Sequence, residues 1–476
     1  MRQKKHYRFT NRKTLGALAL LPAMTVAVSA QQKPFMEAGT AQPPLLPSPP
    51  QIATPEKSVA STNALDNFFN GRIPAAIADG KFNLNVRLRY EQVNEEGNPA
   101  ITKDSYAPTI RTRFGYTTAP LYGFQGMLEG MNVSVLGPEH NYNAAGSNSQ
   151  GARPAVPDPP LTRLDQAWLA YSYTNWISTK VGEQQINLDN QRFVGNSGWW
   201  QNMQTFNAVT ATSEPLKDLN LSYGYVWDVH RIYGNIGGLP AANTDFDSRS
   251  HLVNVSYSGW KYGRFVSYAY LLDLHNAVVG DPNSCATYGG YFAGNAPVSD
   301  KLAFDYHAEF AWQDEYADST LRYSADYYNL EAGVNVKPFA FGAGDEDLGS
   351  GANTGAGGGR ASFRTPLATL HPFNGWDNVF LTTPADGLRD LYGYAQVTLP
   401  AQIPVRFVYH KFDADYGSGN YGQEFDLLAS KKFGKYWTVL VEYAYYQGRD
   451  AAPGSTLATV ANTDVQKFWA QVEFNF

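Results

Sequence analysis

Two short stretches near the start of the chain carry arginines at alternate positions. The pairs are Arg87 with Arg89 in GKFNLNVRLRY (80–90) and Arg111 with Arg113 in YAPTIRTRFGY (106–116). Side chains at positions i and i+2 of a strand point to the same side. Two such strands side by side predict a cationic ladder, which attracts anionic or hydroxyl-rich solutes. The alternative is an ordinary polar wall, in which carboxylates such as Glu91 and Glu129 balance the arginines.

The first of these stretches also has an apolar face. Its apolar residues alternate with the polar ones, and they are Phe82, Leu84, Val86, Leu88 and Tyr90. A strand of this kind packs on a second sheet in a soluble sandwich, or faces lipid in an outer-membrane barrel. An arginine facing lipid near the membrane centre costs about 2–4 kcal/mol. In a barrel, Arg87 and Arg89 must therefore face the lumen.

The rest of the chain favours the barrel. About sixteen alternating segments follow residue 80, and their connections are alternately long and short. Outer-membrane barrels have this asymmetry, with tight periplasmic turns and long outer loops. Residues 337–388 are too long for one loop and predict a further pair of strands. The sequence therefore predicts an all-β fold, a transmembrane antiparallel up-and-down β-barrel of 16–18 strands, with 18 favoured and loops folded into the lumen.

The first eighty residues read as two segments outside the barrel. Residues 1–30 have a basic head, an apolar run and a small-residue end at Val28-Ser29-Ala30, which predicts a secretory signal peptide. Pro22 and the short run argue against a spanning helix. Residues 31–80 are predicted to be a Pro-rich flexible periplasmic linker, and residues 81–476 the barrel. The predicted location is the outer membrane of a Gram-negative bacterium.

Composition agrees with this class. Aromatic residues make up 14% of the 476 residues, although the mean hydropathy is −0.37. The formal net charge of −6 argues against nucleic acid as a partner. Cys285 is the single cysteine, so no intrachain disulfide is possible. The final stretch DVQKFWAQVEFNF ends on Phe476 and resembles a strand that the outer-membrane assembly machinery recognises.

No catalytic or metal-binding motif emerges from the sequence. Asp305, His307 and Glu309 could suggest acid–base or metal chemistry, but they alternate with bulky apolar residues and predict the polar lining of a strand. Residues 344–359 (GDEDLGSGANTGAGGG) lack the spacing of a calcium loop and predict a flexible Gly-rich loop. We therefore expect no enzyme activity, no cofactor and no metal.

Two stretches resemble the alginate-export family of outer-membrane barrels. They are VGEQQINLDNQRFVGNSGWWQNMQTFNAV (181–209) and FRTPLATLHPFNGWDNVFLTTPADGLRDLY (363–392). The resemblance implies a monomeric 18-stranded barrel whose lumen is narrowed by loops rich in basic residues. It places Arg192 with the four strand arginines at the pore. It also implies a loop over the lumen or its mouth that contains Arg364, His371, Asn374 and Asp377.

The chain departs from that family at two positions. Glu183 and Trp200 stand where many members have arginine, which lowers the positive charge near the expected constriction. A tryptophan there could stack on a sugar ring. Strict selectivity for polyuronates is therefore not expected.

Together these patterns predict a channel for passive diffusion of an anionic or hydroxyl-rich solute, either an oligo- or polysaccharide or an organic acid. The alternatives are a weakly selective general porin, a barrel enzyme and a surface-binding protein. Expected partners are outer-membrane lipid, the solute and the assembly machinery. The predicted pore-lining residues are Arg87, Arg89, Arg111, Arg113, Glu129, Lys180, Asp189, Arg192, Trp200, Asp305, His307, Glu309, Arg364 and His371.

Overall fold

The computed structural model describes residues 73–174, 176–234, 245–276, 282–449 and 463–476. Its main feature is a closed antiparallel barrel of 18 strands, which confirms the predicted fold class. The segments predicted as a signal peptide and most of the linker lie outside the described residues. The elements are α1 (Ile73–Ala78), a 3-10 helix (Glu139–Asn141), β1 (Lys81–Glu96), β2 (Ser105–Thr117), β3 (Phe124–Val135), β4 (Leu161–Tyr173), β5 (Ile177–Gln184), β6 (Thr205–Leu216), β7 (Leu219–His230), β8 (Phe246–Trp260), β9 (Gly263–Leu272), β10 (Leu274–His275), β11 (Cys285–Ser299), β12 (Leu302–Glu315), β13 (Ser324–Val336), β14 (Phe339–Leu348), β15 (Ser350–Ala352), β16 (Arg360–Ser362), β17 (Leu388–Leu399), β18 (Ile403–Asp413), β19 (Asn420–Phe433), β20 (Trp437–Gly448) and β21 (Asp464–Asn475).

The barrel closes by pairing its first and last strands. Leu88 of β1 lies opposite Ile110 of β2 on one side and Val472 of β21 on the other. Every other barrel strand pairs with its neighbours in the chain. The two-residue strand β10 continues β9 and pairs with β8, whereas β15 and β16 form a separate small hairpin. Closure leaves no open edge, so the strands satisfy their backbone groups within the wall.

The outer surface of the wall is apolar. Phe82 and Leu128 are 61% and 60% exposed, while Arg87 and Arg89 on the alternate positions of β1 are buried inside. An exposed apolar surface around a closed barrel is stable only in lipid. The chain is therefore an outer-membrane β-barrel. Other large apolar side chains on the outer surface are Phe114, Leu169, Phe265, Phe310, Leu330, Phe341, Leu391, Phe407, Leu427 and Val441.

Exposed aromatic side chains gather at the end of the barrel with the short turns. Such side chains form girdles where a barrel meets the membrane interface. The N-terminus of β1 and the C-terminus of β21 lie at this end, which is the periplasmic side by the usual loop asymmetry. The aromatic residues are Tyr122, Phe124, Tyr173, Trp176, Trp260, Tyr262, Phe339, Phe433, Trp437 and Phe476. Among the described residues, no helix is both long and apolar enough to cross a membrane.

Eighteen strands are confirmed, but one of them lies where the sequence predicted a loop, and another runs into a predicted loop. The predicted loop 275–302 contains β11, whose glycines, alanines and Pro297 hide its alternation. The predicted Gly-rich loop 344–359 overlaps the end of β14, in which Glu346 faces inward beside Asp345 and Asp347. Of the pair of barrel strands expected within 337–388, only β14 (Phe339–Leu348) is present, because β15 and β16 form a separate hairpin. Because β11 adds a strand that the sequence pattern missed, the connection 316–323 lies at the end of the barrel that carries the long loops.

We expect that a charge on the outer surface destabilises the barrel. Leu88 lies near the middle of β1 and is 43% exposed. Leu88→Arg should lower the free energy of unfolding by about 2–4 kcal/mol, because the guanidinium would enter hydrocarbon. Equilibrium unfolding of the lipid-reconstituted protein measures this loss. Leu88→Met is the matched control, and an equal loss in both variants would contradict a lipid-facing position.

Candidate functional site

Two long loops fold back into the lumen and pack on each other. They are the β5–β6 loop (185–204) and the β14–β17 loop (349–387). Val194 and Leu367 form a parallel bridge, and the Gly195 amide donates to the Leu367 carbonyl at 2.9 Å. The Trp199 ring stacks on the His371 ring with their centroids 3.8 Å apart. The predicted inward loops are thus present, and together they form one layer across the lumen.

Arg87 and Arg111 hold the β5–β6 loop to the wall. The Arg87 Nη1 donates to the carbonyls of Gly198, Trp199 and Trp200 at 3.0–3.3 Å. Arg111 lies opposite Arg87 in the β1–β2 register, and both arginines form ion pairs with Glu473 of β21 at 3.2 and 3.3 Å. Since both guanidinium groups are buried, their charge acts on the loop and on Glu473.

Arg89 also holds the β5–β6 loop, because its guanidinium packs on the ring of Trp199. Its guanidinium carbon lies 4.4 Å from the Trp199 ring centroid. Its Nη1 lies 3.7 Å from Asp158 in the β3–β4 loop (136–160), and its Nη2 donates to Gln471 at 2.7 Å. The neighbouring Trp200 is also buried, so neither side chain offers a surface to a passing sugar ring.

Arg113 and Arg163 are more accessible than the other arginines at this wall. Their side chains are 18% and 13% exposed, compared with 8% or less for Arg87, Arg89 and Arg111. Arg113 contacts the Met203 sulfur at 3.0 Å, and Arg163 donates to the Met203 carbonyl. Both lie 3.7–3.8 Å from Asp165, and Arg113 also lies 3.7 Å from Glu129. These two cations stand where the β5–β6 loop rejoins the wall.

Across the lumen, Asp189 and Arg192 anchor the tip of the same loop. Asp189 accepts hydrogen bonds from Asn254 at 2.6 Å and from Tyr291 at 2.7 Å. Arg192 pairs with Glu346 of β14 at 2.7 Å and donates to Asn374 of the β14–β17 loop at 2.9 Å. The loop therefore spans the lumen between opposite walls.

His371 joins the β14–β17 loop to β20. Its two ring nitrogens lie 3.0 Å from Glu442 and 3.1 Å from Asn378. Burial lowers the pKa of His371 well below its usual value, so the ring is neutral near pH 7. Because it is 1% exposed and covered by Trp199, it has no access to a solute.

The remaining predicted residues are spread over the wall. On β12, His307 lies 3.0 Å from Glu309, and Asp305 accepts hydrogen bonds from Asn295 and Asn335. Lys180 lies over the Trp168 ring at 4.5 Å, and no ion pair to it is found in the described part of the chain.

Arg364 binds Asn283 at 3.2 Å through its Nη1. Glu183, one of the two departures from the family pattern, accepts a hydrogen bond from Thr205 at 2.8 Å.

Several residues of this arrangement were missed by the sequence reasoning. Glu473 and Arg163 occupy lumen-facing positions of β21 and β4, and a charge on the polar face of an alternating strand was the available signal. Asp158 and Met203 lie in loops, where no periodicity marks them. Within the described ranges, no group of three or more His, Cys, Asp or Glu side chains is arranged to hold a metal ion.

Comparison with known proteins supports the fold. No family model matches this sequence, and no curated protein matches it. Among solved structures, Acinetobacter baumannii OccAB3 has a TM-score of 0.62 at 14% identity, covering 84% of this chain and 100% of OccAB3. Pseudomonas aeruginosa OccK9 (OpdG) gives 0.62 at 13%, covering 84% and 100%. OpdK from the same organism, solved with vanillate, gives 0.60 at 11%, covering 84% and 99%.

These matches correct the resemblance drawn from the sequence. The similar structures are Occ and Opd proteins, and the assignment to the alginate-export family was wrong. The Arg-x-Arg strands and the inward loops that prompted it occur here on a barrel whose fold is similar to that of the Occ and Opd structures. Identities of 11–14% establish a shared fold and no more.

We expect Arg87 to stabilise the barrel more than Arg113 does. Arg87→Met removes three hydrogen bonds to loop carbonyls and one ion pair, so the free energy of unfolding should fall by about 1.5–3 kcal/mol. Arg113→Met, at a more hydrated position, should cost less. Urea unfolding of the reconstituted barrel compares the two variants, and equal losses would argue against Arg87 as a loop anchor.

Gly375 should be intolerant of a side chain. Its φ is +85°, and an added Cβ would lie 2.3 Å from the Glu424 Oε2. Gly375→Ala should therefore cost about 1–3 kcal/mol and loosen the β14–β17 loop. Limited proteolysis of this loop measures the change. Gly357→Ala is the control, because Gly357 also has positive φ but no atom lies within 4 Å of its Cβ position; equal cleavage would contradict the role of the contact.

Proposed function

We propose that this protein is a monomeric channel for passive diffusion of a small anionic solute across the outer membrane. The observation that carries the proposal is the placement of Arg113 and Arg163 beside Met203, where the inward β5–β6 loop meets the wall. A solute that passes the narrowed lumen on this side encounters two partly hydrated guanidinium groups. Guanidinium binds carboxylates in a planar, two-pronged geometry, which favours an organic acid over a neutral sugar.

Lys180 extends the positive charge along the same side of the lumen. It lies on β5, next to β4 which carries Arg163. Its ammonium group has only the Trp168 ring close to it among the contacts described. A charge without a carboxylate partner contributes fully to the field in a narrow polar passage. Arg113, Arg163 and Lys180 thus form the set on which we expect anion preference to depend.

The vanillate in the OpdK structure supports this solute class. Vanillate is an aromatic carboxylate, and OpdK has the same barrel fold. Polysaccharide export, by contrast, has no support once the alginate-export assignment is removed.

The second candidate is a general porin of weak selectivity. Asp165 lies within ion-pair distance of both Arg113 and Arg163, and Glu129 is close to Arg113. These carboxylates offset part of the positive charge. The balance between these carboxylates and the two arginines decides whether the channel prefers anions or is unselective. The reversal potential measures this balance directly.

The test is conductance of the reconstituted barrel in a planar bilayer under a salt gradient. We expect a steady current with a reversal potential on the anion side. Neutralising Arg113, Arg163 and Lys180 to glutamine should move this potential towards zero, because their charge reaches the solute path. It should also weaken the competition of benzoate-type anions with chloride.

The matched control is Arg111→Gln, which removes a buried cation of the same wall. This variant should change the reversal potential less than Arg113→Gln does. An unselective current in the parent protein would favour the general porin. A folded barrel without current would contradict both candidates.

A further inference from the structure

Three carboxylates meet at the contact between the β14–β17 loop and the wall. Asp377 belongs to the loop, whereas Glu424 and Asp426 stand at alternate, inward-facing positions of β19. The Asp377 amide donates to the Glu424 Oε1 at 2.7 Å, and the Asp377 Oδ2 accepts from the Tyr446 amide of β20 at 2.6 Å. All three side chains are 1% exposed or less.

Four carboxylate oxygens at this contact have no hydrogen-bond donor among the described residues. They are the Asp377 Oδ1, the Glu424 Oε2 and both oxygens of Asp426. The His410 Nε2 lies at the longer ion-pair distance of 3.4 Å from the Asp426 Oδ2, while its Nδ1 lies 2.9 Å from Asp390. A buried, ionised oxygen without a donor is costly, and two adjacent carboxylates cannot both ionise cheaply. If one of the two carboxyl groups is protonated, its O–H donates a hydrogen bond to the other and satisfies the pair.

The surrounding charges do not compensate for full ionisation. Asp390, Glu442, Glu346 and Glu91 add four more buried carboxyl groups, and the positive groups that act on the contact include His410 and Lys467. Arg192 and Arg89 are engaged with Glu346 and Asp158. The titratable and charged groups that face this contact are Arg89 and Glu91 of β1, Glu346 of β14, Asp390 of β17, His410 of β18, Glu424 and Asp426 of β19, Glu442 and Tyr446 of β20, Lys467 of β21, Tyr421 of β19, Arg192 of the β5–β6 loop, and His371 and Asp377 of the β14–β17 loop.

We propose that Asp377, Glu424 and Asp426 form a proton-binding site that holds the β14–β17 loop against β19 and β20. The proton lies between carboxyl groups of the loop and the wall, and its loss leaves like charges facing each other across the contact. Docking of the loop is then weakened by repulsion. This inference concerns the position of the loop and does not depend on whether the lumen conducts.

The direction of the pH dependence follows from burial. Burial raises the pKa of Asp377 well above its usual value. When the loop leaves the wall, this carboxyl group returns to water and to an ordinary pKa of about 4. The docked state therefore binds more protons than the released state. Its stability is full below about pH 4 and declines as pH rises towards the raised pKa.

Hydrogen exchange measured by mass spectrometry tests the site in the intact, lipid-reconstituted barrel. Protection factors of peptides within 363–382, corrected for intrinsic exchange at each pH, should fall between pH 5 and pH 9. The fall should approach about tenfold per pH unit for each proton released. Constant protection over this range would overturn the proposal.

Neutral isosteres separate the proton effect from general loosening. Glu424→Gln with Asp426→Asn should weaken the pH dependence, because the repulsion across the contact is removed and only the burial of Asp377 remains. Asp305→Asn is the control, since Asp305 is buried on β12 between Asn295 and Asn335 and lies away from this loop contact. It should keep the parent profile.

If the double variant does not fold, Asp377→Asn gives the same measurement from the loop side. An unchanged pH profile in either folded variant would overturn the proposal. Bilayer conductance is measured separately. A barrel that does not conduct but shows the pH-dependent protection would contradict the proposed channel function and support the proton site.

Discussion

The structure depends on the cost of an unpaired backbone group in hydrocarbon. Within the bilayer only a helix or a closed barrel satisfies every amide and carbonyl. Pairing of β1 with β21 provides this closure, and it fixes the two-residue alternation of every strand. Apolar positions such as Leu88 then face lipid and charged positions such as Arg87 face inward. The charged lumen is therefore a consequence of closure, since the outer surface cannot hold those groups.

A charged lumen in turn needs partners for its charges. The inward loops supply many of them with backbone carbonyls and side chains. Arg87 binds three consecutive carbonyls of the β5–β6 loop, and Arg192 reaches from that loop to Glu346 on the far wall. Buried ion pairs repay their desolvation only when the remaining hydrogen bonds are also made. The loop and the wall thus stabilise each other. If either were removed, the charges of the other would lose their partners.

This interdependence explains how much of the molecule the sequence could reveal. The alternation of Phe82 to Tyr90 with Arg87 and Arg89 predicted a strand with two unlike faces, and the alternation of long and short connections assigned it to a barrel. The strand β11 was hidden because Gly289, Gly290 and Pro297 break the pattern, although it pairs with β9 on one side and β12 on the other. The partner of Arg87 was also hidden, because Glu473 lies 386 residues away and only closure brings the two together. Local periodicity predicts faces, whereas ion pairs across the closing seam depend on the whole barrel.

The two inward loops differ in what balances the buried carboxylates at their contacts with the wall. The β5–β6 loop is held by Arg87, Arg111 and Arg192, each of which pairs with a carboxylate at 3.3 Å or less. Arginine keeps its charge at every accessible pH, so these contacts do not vary with proton concentration. The β14–β17 loop also contacts the wall through Asp377, Glu424 and Asp426, where four oxygens have no donor in the described part of the chain. A layer in which arginines fix one loop and protons control the docking of the other can change its width while the barrel wall stays closed.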